Sequence, residues 1–264
     1  MSTGEDEREE TCPDYLDLLA APNEGAACAD ALEGALDATD WECLRLLAIP
    51  QDSPLIERSS WMRGPKGMVT PASVCPIANL AGGFEQYLAR LSANPREQSR
   101  RLLRHVEGSG AVLELATGAT MDAFFDDLVR LHQQRWIAQG KPGCFAAERF
   151  TRFHRSLASR WVGTGRSILA RLSLNNEAIA VLYGFVTGTK FDFYQSGVAT
   201  ISAASRSPGH VAHLLLMREL CERGRNEVIR CLRRLQPGLV FALLQPRRSH
   251  DAALRVGRQH HQGV

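Results

Sequence analysis

Apolar and polar positions are most regularly ordered between Ser167 and Gly224. SILARLSL (167–174) and EAIAVLYGFV (177–186) are apolar runs of strand length. Between them lies Asn175-Asn176, a pair that tolerates left-handed turn geometry, so the two runs predict a hairpin. Gly188-Thr189-Lys190 then turns the chain into FDFYQSGV (191–198). Its period of two sets Phe191, Phe193 and Gln195 on one face and Asp192, Tyr194 and Ser196 on the other, which is polar enough to line a cleft. The apolar run that follows predicts a helix, with Ser207 as N-cap, Pro208 in the first helical position and Gly224 as the stop.

Upstream, Gly108-Ser109-Gly110 opens a unit that starts with a short apolar strand, 111–116. Thr120 caps a helix reaching Gly140, on which Phe124, Phe125, Leu128, Val129, Leu131, His132 and Trp136 form one broad stripe. After GKPGCF, Phe150, Phe153, Leu157 and Trp161 recur at helical spacing until Gly163 and Gly165 end the run. NEVIRCL, beyond Gly224, reads as a returning parallel strand. The first third is less regular: short helices at 14–19 and 29–38, a buried strand at 41–49, and VCPIANL, a proline-bearing edge strand. A helix from Phe84 to Val106 is expected to break at Asn94-Pro95. Its second part carries Arg96, Arg100, Arg101 and Arg104, a basic stripe that either faces solvent or meets phosphates. No aromatic residue interleaves it, as a nucleic-acid stacking surface would require.

Composition narrows the class. The chain has 264 residues, 44% hydrophobic and 23% charged, with a formal net charge of +2, so nothing draws it globally to nucleic acid. No uncharged apolar run is long enough to span a bilayer. Seven cysteines are scattered without a CxxC pair and read as reduced cytosolic thiols. MSTGEDEREE is acidic where a secretory signal would be basic and then apolar, so residues 1–10 are expected to be a disordered leader in a cytoplasmic protein.

The start of the Ser207 helix carries the first candidate chemistry. Its opening N–H groups have no internal acceptor, and the helix dipole places about half a positive charge there, so the turn can hold an anion. Gly209 lets a ligand approach the backbone, and His210 adds a donor. The plain alternative is that Ser-Pro is only a good helix start, since neither a Walker sequence nor GxGxxG is present. His132 is a candidate base or substrate contact, or a hydrogen-bonded core residue. No metal site is expected, because the histidines at 210 and 213 and at 260 and 261 lack further ligands at useful spacing.

The order strand, helix, helix, three antiparallel strands, helix, strand resembles the GNAT acyltransferase fold. LHQQRW (131–136), GKPGCF (140–145), RFHRSLA (152–158), FYQSGV (193–198) and SPGH (207–210) are similar to the acetyltransferase branch associated with bacterial cellulose synthesis, related in fold to Fem-type aminoacyl transferases. The resemblance covers about 72–224. It implies an α/β chain with a mixed, mostly antiparallel central sheet flanked by helices, preceded by a partial second GNAT-like half at 11–107 whose beginning is absent. The acyltransferase domain would span 108–232. Residues 233–264 depart from the family: from Arg223 onward there are nine arginines against two acidic residues, as though this tail were out of register through divergence or a frameshift.

That resemblance implies transfer of an acyl group, most simply acetyl from acetyl-coenzyme A, to an amine or hydroxyl acceptor that is small or polymer-linked. Ser207, Pro208, Gly209 and His210 would take the cofactor pyrophosphate. A departing thiolate wants an acid, and Tyr194 is favoured; a protonated amine wants a base, for which Asp192 and His132 are both candidates. Arg135, Trp136 and Gln195 would contact substrate. Two alternatives stand beside it: a Fem-type enzyme using aminoacyl-tRNA, with the arginine stripe on RNA, and a degenerate acyltransferase that only binds.

Overall fold

The structure, a computed structural model, describes residues 17–39, 43–58, 60, 67–74, 77–200, 207–225, 229–231 and 250–257. The expected leader at 1–10 lies outside the described residues, as do 233–249 and 258–264 of the basic tail. The chain divides into two units, the smaller built mainly from 11–75 and 247–264 and the larger from 76–246. Residue 107, where the sequence suggested a domain limit, falls within the larger unit.

In the smaller unit, α1 (Gly25–Asp37) and α2 (Pro54–Arg58) accompany a three-stranded antiparallel sheet of β1 (Cys43–Ile49), β2 (Gly67–Val74) and β9 (His250–Gly257) in the order β1-β9-β2. β9 comes from the stretch that departs from the family, and it is the central strand, with Leu254 opposite both Leu46 and Val69. Residues 17–19, expected to end a short helix, have no regular structure. Leu46 and Ile49 are buried with Leu44, Leu55 and Ile56 against them, a small core.

The larger unit contains β3 (Ile77–Ala78), α3 (Phe84–Arg90), α4 (Ala93–Glu107), β4 (Val112–Leu115), α5 (Met121–Ala138), a 3-10 turn (Cys144–Ala146), α6 (Glu148–Trp161), β5 (Ser167–Leu174), β6 (Glu177–Thr187), β7 (Lys190–Val198), α7 (Pro208–Glu222) and β8 (Ile229–Cys231). Its six-stranded sheet runs β3-β8-β7-β6-β5-β4, antiparallel except where β8 lies parallel to β7. This is the mixed, mostly antiparallel sheet the resemblance implied. The expected helix break at Asn94-Pro95 instead falls at Leu91-Ser92, because a proline in the first turn of a helix removes no hydrogen bond that the helix could use.

Both faces of the sheet are covered. Leu172, Ala180, Leu182, Phe191 and Phe193 pack with α3, α4 and α7; Leu169, Val181 and Tyr183 pack with α5 and α6. Burial on both sides is why β5 and β6 read as continuous apolar runs, and each large side chain so buried contributes ~1.5–3 kcal/mol. α7 is buried almost all round, with Leu214, Leu216 and Met217 nearly inaccessible, which explains a helix apolar on every side.

β7 departs from simple alternation. Tyr183 pairs with Gln195 but Gly184 pairs with Phe193, so Tyr194 is an extra, bulged residue. Before the bulge, Phe191 and Phe193 face α7; after it, Gln195 and Gly197 face α5, while Val198 returns to the α7 side. The expectation that Gln195 shares a face with Phe191 and Phe193 is therefore overturned: the inserted residue reverses the parity of the strand. Gly197 is where α5 meets β7, since a Cβ there would lie 2.6 Å from the Leu128 carbonyl oxygen and 2.7 Å from Leu131 Cβ. Gly197→Ala must push α5 off the sheet. We expect it to lower unfolding free energy by ~1–3 kcal/mol, read as a lower urea midpoint with unchanged slope.

Candidate active site

The bulge brings Asp192, Tyr194 and Gln195 to the face of the sheet that α5 and α6 cover. Asp192 sits opposite Phe185, a residue of that face. The Tyr194 ring lies 4.8 Å from His154, 5.4 Å from Phe185, 5.9 Å from Tyr183 and 6.4 Å from Phe150, centre to centre. Three of these are edge-on or tilted contacts, the arrangement ring quadrupoles favour. All three side chains are half-buried.

His132 joins this face from α5 and is almost inaccessible. Its Nδ1 lies 3.0 Å from Gln133 Oε1 and its Nε2 lies 3.6 Å from Cys144 Sγ, and Gln195 Nε2 donates to the same sulfur at 3.6 Å. Burial, with a further contribution from the Arg135 charge, pushes His132 down to about 4, against the Gln133 hydrogen bond that opposes it. The imidazole is therefore neutral at physiological pH. Trp136 stands 5.7 Å from it, ring to ring, with Lys141 Nζ 5.4 Å over the indole. Arg135 and Trp136 are half-buried near the end of α5.

His154 is a residue the sequence reading passed over, because on α6 it falls among the apolar helix positions and its partners are distant in the chain. It is buried, with Nδ1 3.4 Å from the Tyr183 hydroxyl, and Nε2 has no hydrogen-bond partner among the described residues. Burial holds it near 4 and pushes the Tyr183 phenol well above its usual range, although the neighbouring Ser167 hydroxyl works the other way. Cys144 and Gln133 were visible only as letters within GKPGCF and LHQQRW; nothing in their spacing linked them to Gln195.

The other group of candidates stands at the start of α7. Ser207 occupies the N-cap position, but with φ of 57° and no side-chain cap bond, so it turns the chain in left-handed geometry rather than capping with its hydroxyl. Pro208, Gly209 and His210 are buried. A Cβ on Gly209 would lie 3.2 Å from Val198 Cγ2, which fixes this turn beside the last residue of β7. Val211 N–H reaches the Ser207 carbonyl at 3.1 Å, and Pro208 has no N–H, so helix geometry leaves the amides of Gly209 and His210 without an intrahelical acceptor. His210 Nε2 is buried with no partner among the described residues, and burial takes the ring down to about 4.

The arginine stripe is largely engaged: Arg104 pairs with Glu97 at 2.9 Å, Arg100 reaches Glu85 at 4.0 Å and Arg96 donates to the Ala89 carbonyl at 3.1 Å. Among the described residues no three His, Cys, Asp or Glu side chains gather so as to hold a metal ion, and no helix is long and apolar enough to cross a membrane.

The acetyltransferase (GNAT) domain family matches residues 93–233. No curated protein matches the sequence. Among solved structures, the chain is similar to a conserved protein of unknown function from Bacteroides thetaiotaomicron, with 15% identity over 88% of this chain and 75% of that one and a TM-score of 0.60. It is similar to the C-terminal domain of a putative lysylphosphatidylglycerol synthetase from Agrobacterium fabrum, with 14% identity, 92% and 75% coverage and a TM-score of 0.59. It is also similar to FemX, with 9% identity, 86% and 75% coverage and a TM-score of 0.57. At these identities the likeness is one of fold.

The buried imidazoles set a pH dependence. His132, His154 and His210 titrate near 6.5 when unfolded and about 4 when folded. Between those values the unfolded chain binds more protons, so stability rises with pH across that window and is lost on acidification through it. His154→Phe keeps the ring packing and removes one group. We expect thermal melts from pH 7 to 4 to show a slope shallower than wild type by about one proton; an identical slope would mean that His154 is not buried neutral.

Proposed function

The chain belongs to the acetyltransferase (GNAT) domain family, and from that premise we infer that it moves an acyl group, most simply acetyl from acetyl-coenzyme A, to an amine or hydroxyl acceptor in the cytoplasm. The observation that carries this reading is the start of α7. A buried turn with two amides lacking an intrahelical acceptor, beside a buried imidazole nitrogen without a partner among the described residues, is satisfied by an anion. The pyrophosphate of coenzyme A has that chemistry, and its attached chain would run along β7. Gly209 then serves less as an open approach than as the small residue that seats the turn against Val198.

The reaction itself belongs to the opposite face of β7. Tyr194 protonates the departing thiolate, since a phenol hydroxyl is a proton donor. His132, neutral and desolvated, or Asp192 takes the acceptor's proton, and Gln195, Arg135 and Trp136 border the acceptor. The narrower resemblance to the branch associated with bacterial cellulose synthesis extends the acceptor class to polymer-linked groups.

Two variants test this. Ser207→Glu adds a charge that the helix dipole itself welcomes, so folding is spared while an incoming anion is repelled. Calorimetry should show acetyl-coenzyme A binding weakened at least about tenfold, and equal affinity would refute the anion site. Tyr194→Phe should lower kcat about a hundredfold with KM and melting temperature unchanged, followed as thiol release with a panel of amines; an unaltered kcat removes Tyr194 as the acid.

A further inference from the structure

A polar chain running through α5 and the 3-10 turn ends on a sulfur atom. Gln133 donates from Nε2 to the Pro142 carbonyl at 2.8 Å, which turns its Oε1 toward His132 Nδ1 at 3.0 Å. An amide oxygen only accepts, so Nδ1 carries the ring proton and the lone pair is on Nε2. That lone pair faces Cys144 Sγ at 3.6 Å, an S–H···N distance, and Gln195 Nε2 donates to the same sulfur at 3.6 Å. Cys144 is a reduced thiol and only half-buried, whereas the base beside it is almost fully enclosed. Gly143, at φ 71°, allows the close turn: a Cβ there would collide with Gln133 Oε1 and lie 3.1 Å from Trp136 Cβ. A nucleophile, a base in the correct tautomer, a group orienting that base and a donor to the nucleophile are thus assembled from β7, α5 and one tight turn.

We propose that Cys144 is a nucleophile that accepts an acyl group from a thioester, which deepens the acyl-transfer reading and rests on it for the identity of the donor. Cys144 Sγ attacks the thioester carbonyl carbon while its proton passes to His132 Nε2, and Gln195 Nε2 steadies the charge growing on sulfur. The donor's carbon–sulfur bond then breaks, the departing thiolate takes a proton from Tyr194, and the proton held on His132 restores the phenol. One thioester is exchanged for another, with no change of oxidation state. An amine or hydroxyl acceptor attacks the acyl-Cys144 carbonyl in turn, its proton returning to the Cys144 sulfur through His132. Gln133 is a positioning residue, acting only through the imidazole.

The test uses the full chain, incubated separately with acetyl-coenzyme A and with S-acetyl-N-acetylcysteamine, a thioester without the nucleotide, then quenched in acid for intact-mass measurement and peptide mapping. One acetyl group on the peptide containing Cys144, released by neutral hydroxylamine and absent from Cys144→Ser, is expected with both donors. Gln133→Leu should slow loading by the small thioester about tenfold, and Gln133→Glu should hasten it, because a carboxylate strengthens the base. A merely structural Gln133 would move both variants the same way, and that outcome overturns its role in the proposal. Loading by the small thioester but not by acetyl-coenzyme A supports the nucleophile and removes coenzyme A as donor. Turnover of acetyl-coenzyme A onto an amine, undiminished in Cys144→Ser and with no label at Cys144, overturns the proposal and leaves acyl transfer standing. Label spread evenly over Cys28, Cys144 and Cys221 overturns it as well.

Discussion

The extra residue at Tyr194 is the constraint on which the candidate site depends. Without it β7 would present Gln195 and Gly197 toward α7, and Ser196, which pairs with Leu182 of the α7 face, would stand in place of Gln195 beside Tyr194. With it, the half of the strand that runs beside α5 turns over, and Asp192, Tyr194 and Gln195 come to a single side. A bulge gives up a ladder pairing, and the loss is offset locally: the displaced tyrosine enters a cluster with Phe150, His154, Tyr183 and Phe185. Aromatic contacts of this kind are worth ~0.5–1.5 kcal/mol each beyond the area they bury, comparable to the net worth of a backbone hydrogen bond. Gly197 completes the arrangement by letting the α5 backbone rest directly on the strand.

Two arginines flank this interior. Arg155 reaches Asp122 and Asp126 across the outside of α5 and α6 while lying 4.7 Å over the Phe125 ring, and Arg171 joins Asp127 and Glu114 while lying 3.9 Å over Phe124. The more exposed of these pairs, those of Arg155, add little individually; both arginines matter as much for the ring surface they cover. Inside, the titratable rings of His132 and His154 are held neutral by burial. A neutral, largely desolvated interior suits an acyl group, whose reaction generates charge only in passing, because fixed dipoles there act at close to full strength.

The sequence disclosed the framework of the larger unit well and its site unevenly. β5, β6, β7 and α7 were legible to within a residue or so because each is buried on both sides or all round, which forces an apolar composition that nothing else explains. Boundaries set by single residues were harder: Pro95 looks like a breaker but sits harmlessly in a first turn, and Ser207 looks like a side-chain cap but turns the chain through left-handed backbone geometry. The bulge was illegible, since period-two alternation fits FDFYQSGV equally well with or without a slip; only the register against β6 distinguishes them. Cys144, Gln133 and His154 were missed for a different reason. The partners of Cys144 and His154 lie 12 to 51 positions away in the chain, which no local pattern encodes, and Gln133, whose own partners His132 and Pro142 are near in sequence, gains its meaning only through them. β9 lies in the stretch that departs from the family, and its place between β1 and β2 is again a matter of non-local pairing.

The two groups of candidates lie on opposite faces of the same strand, and this follows from the parity change rather than opposing it. Val198, on the α7 side, seats the turn where an anion would rest, while Gln195, three residues earlier, points to the α5 side. On the proposed reading, a donor anchored at that turn brings its reactive end across the strand. A strand that held its alternation would carry its polar groups on the wrong side of that crossing. On the proposed reading, the inserted tyrosine lets an anchor of backbone amides on one face serve side chains on the other.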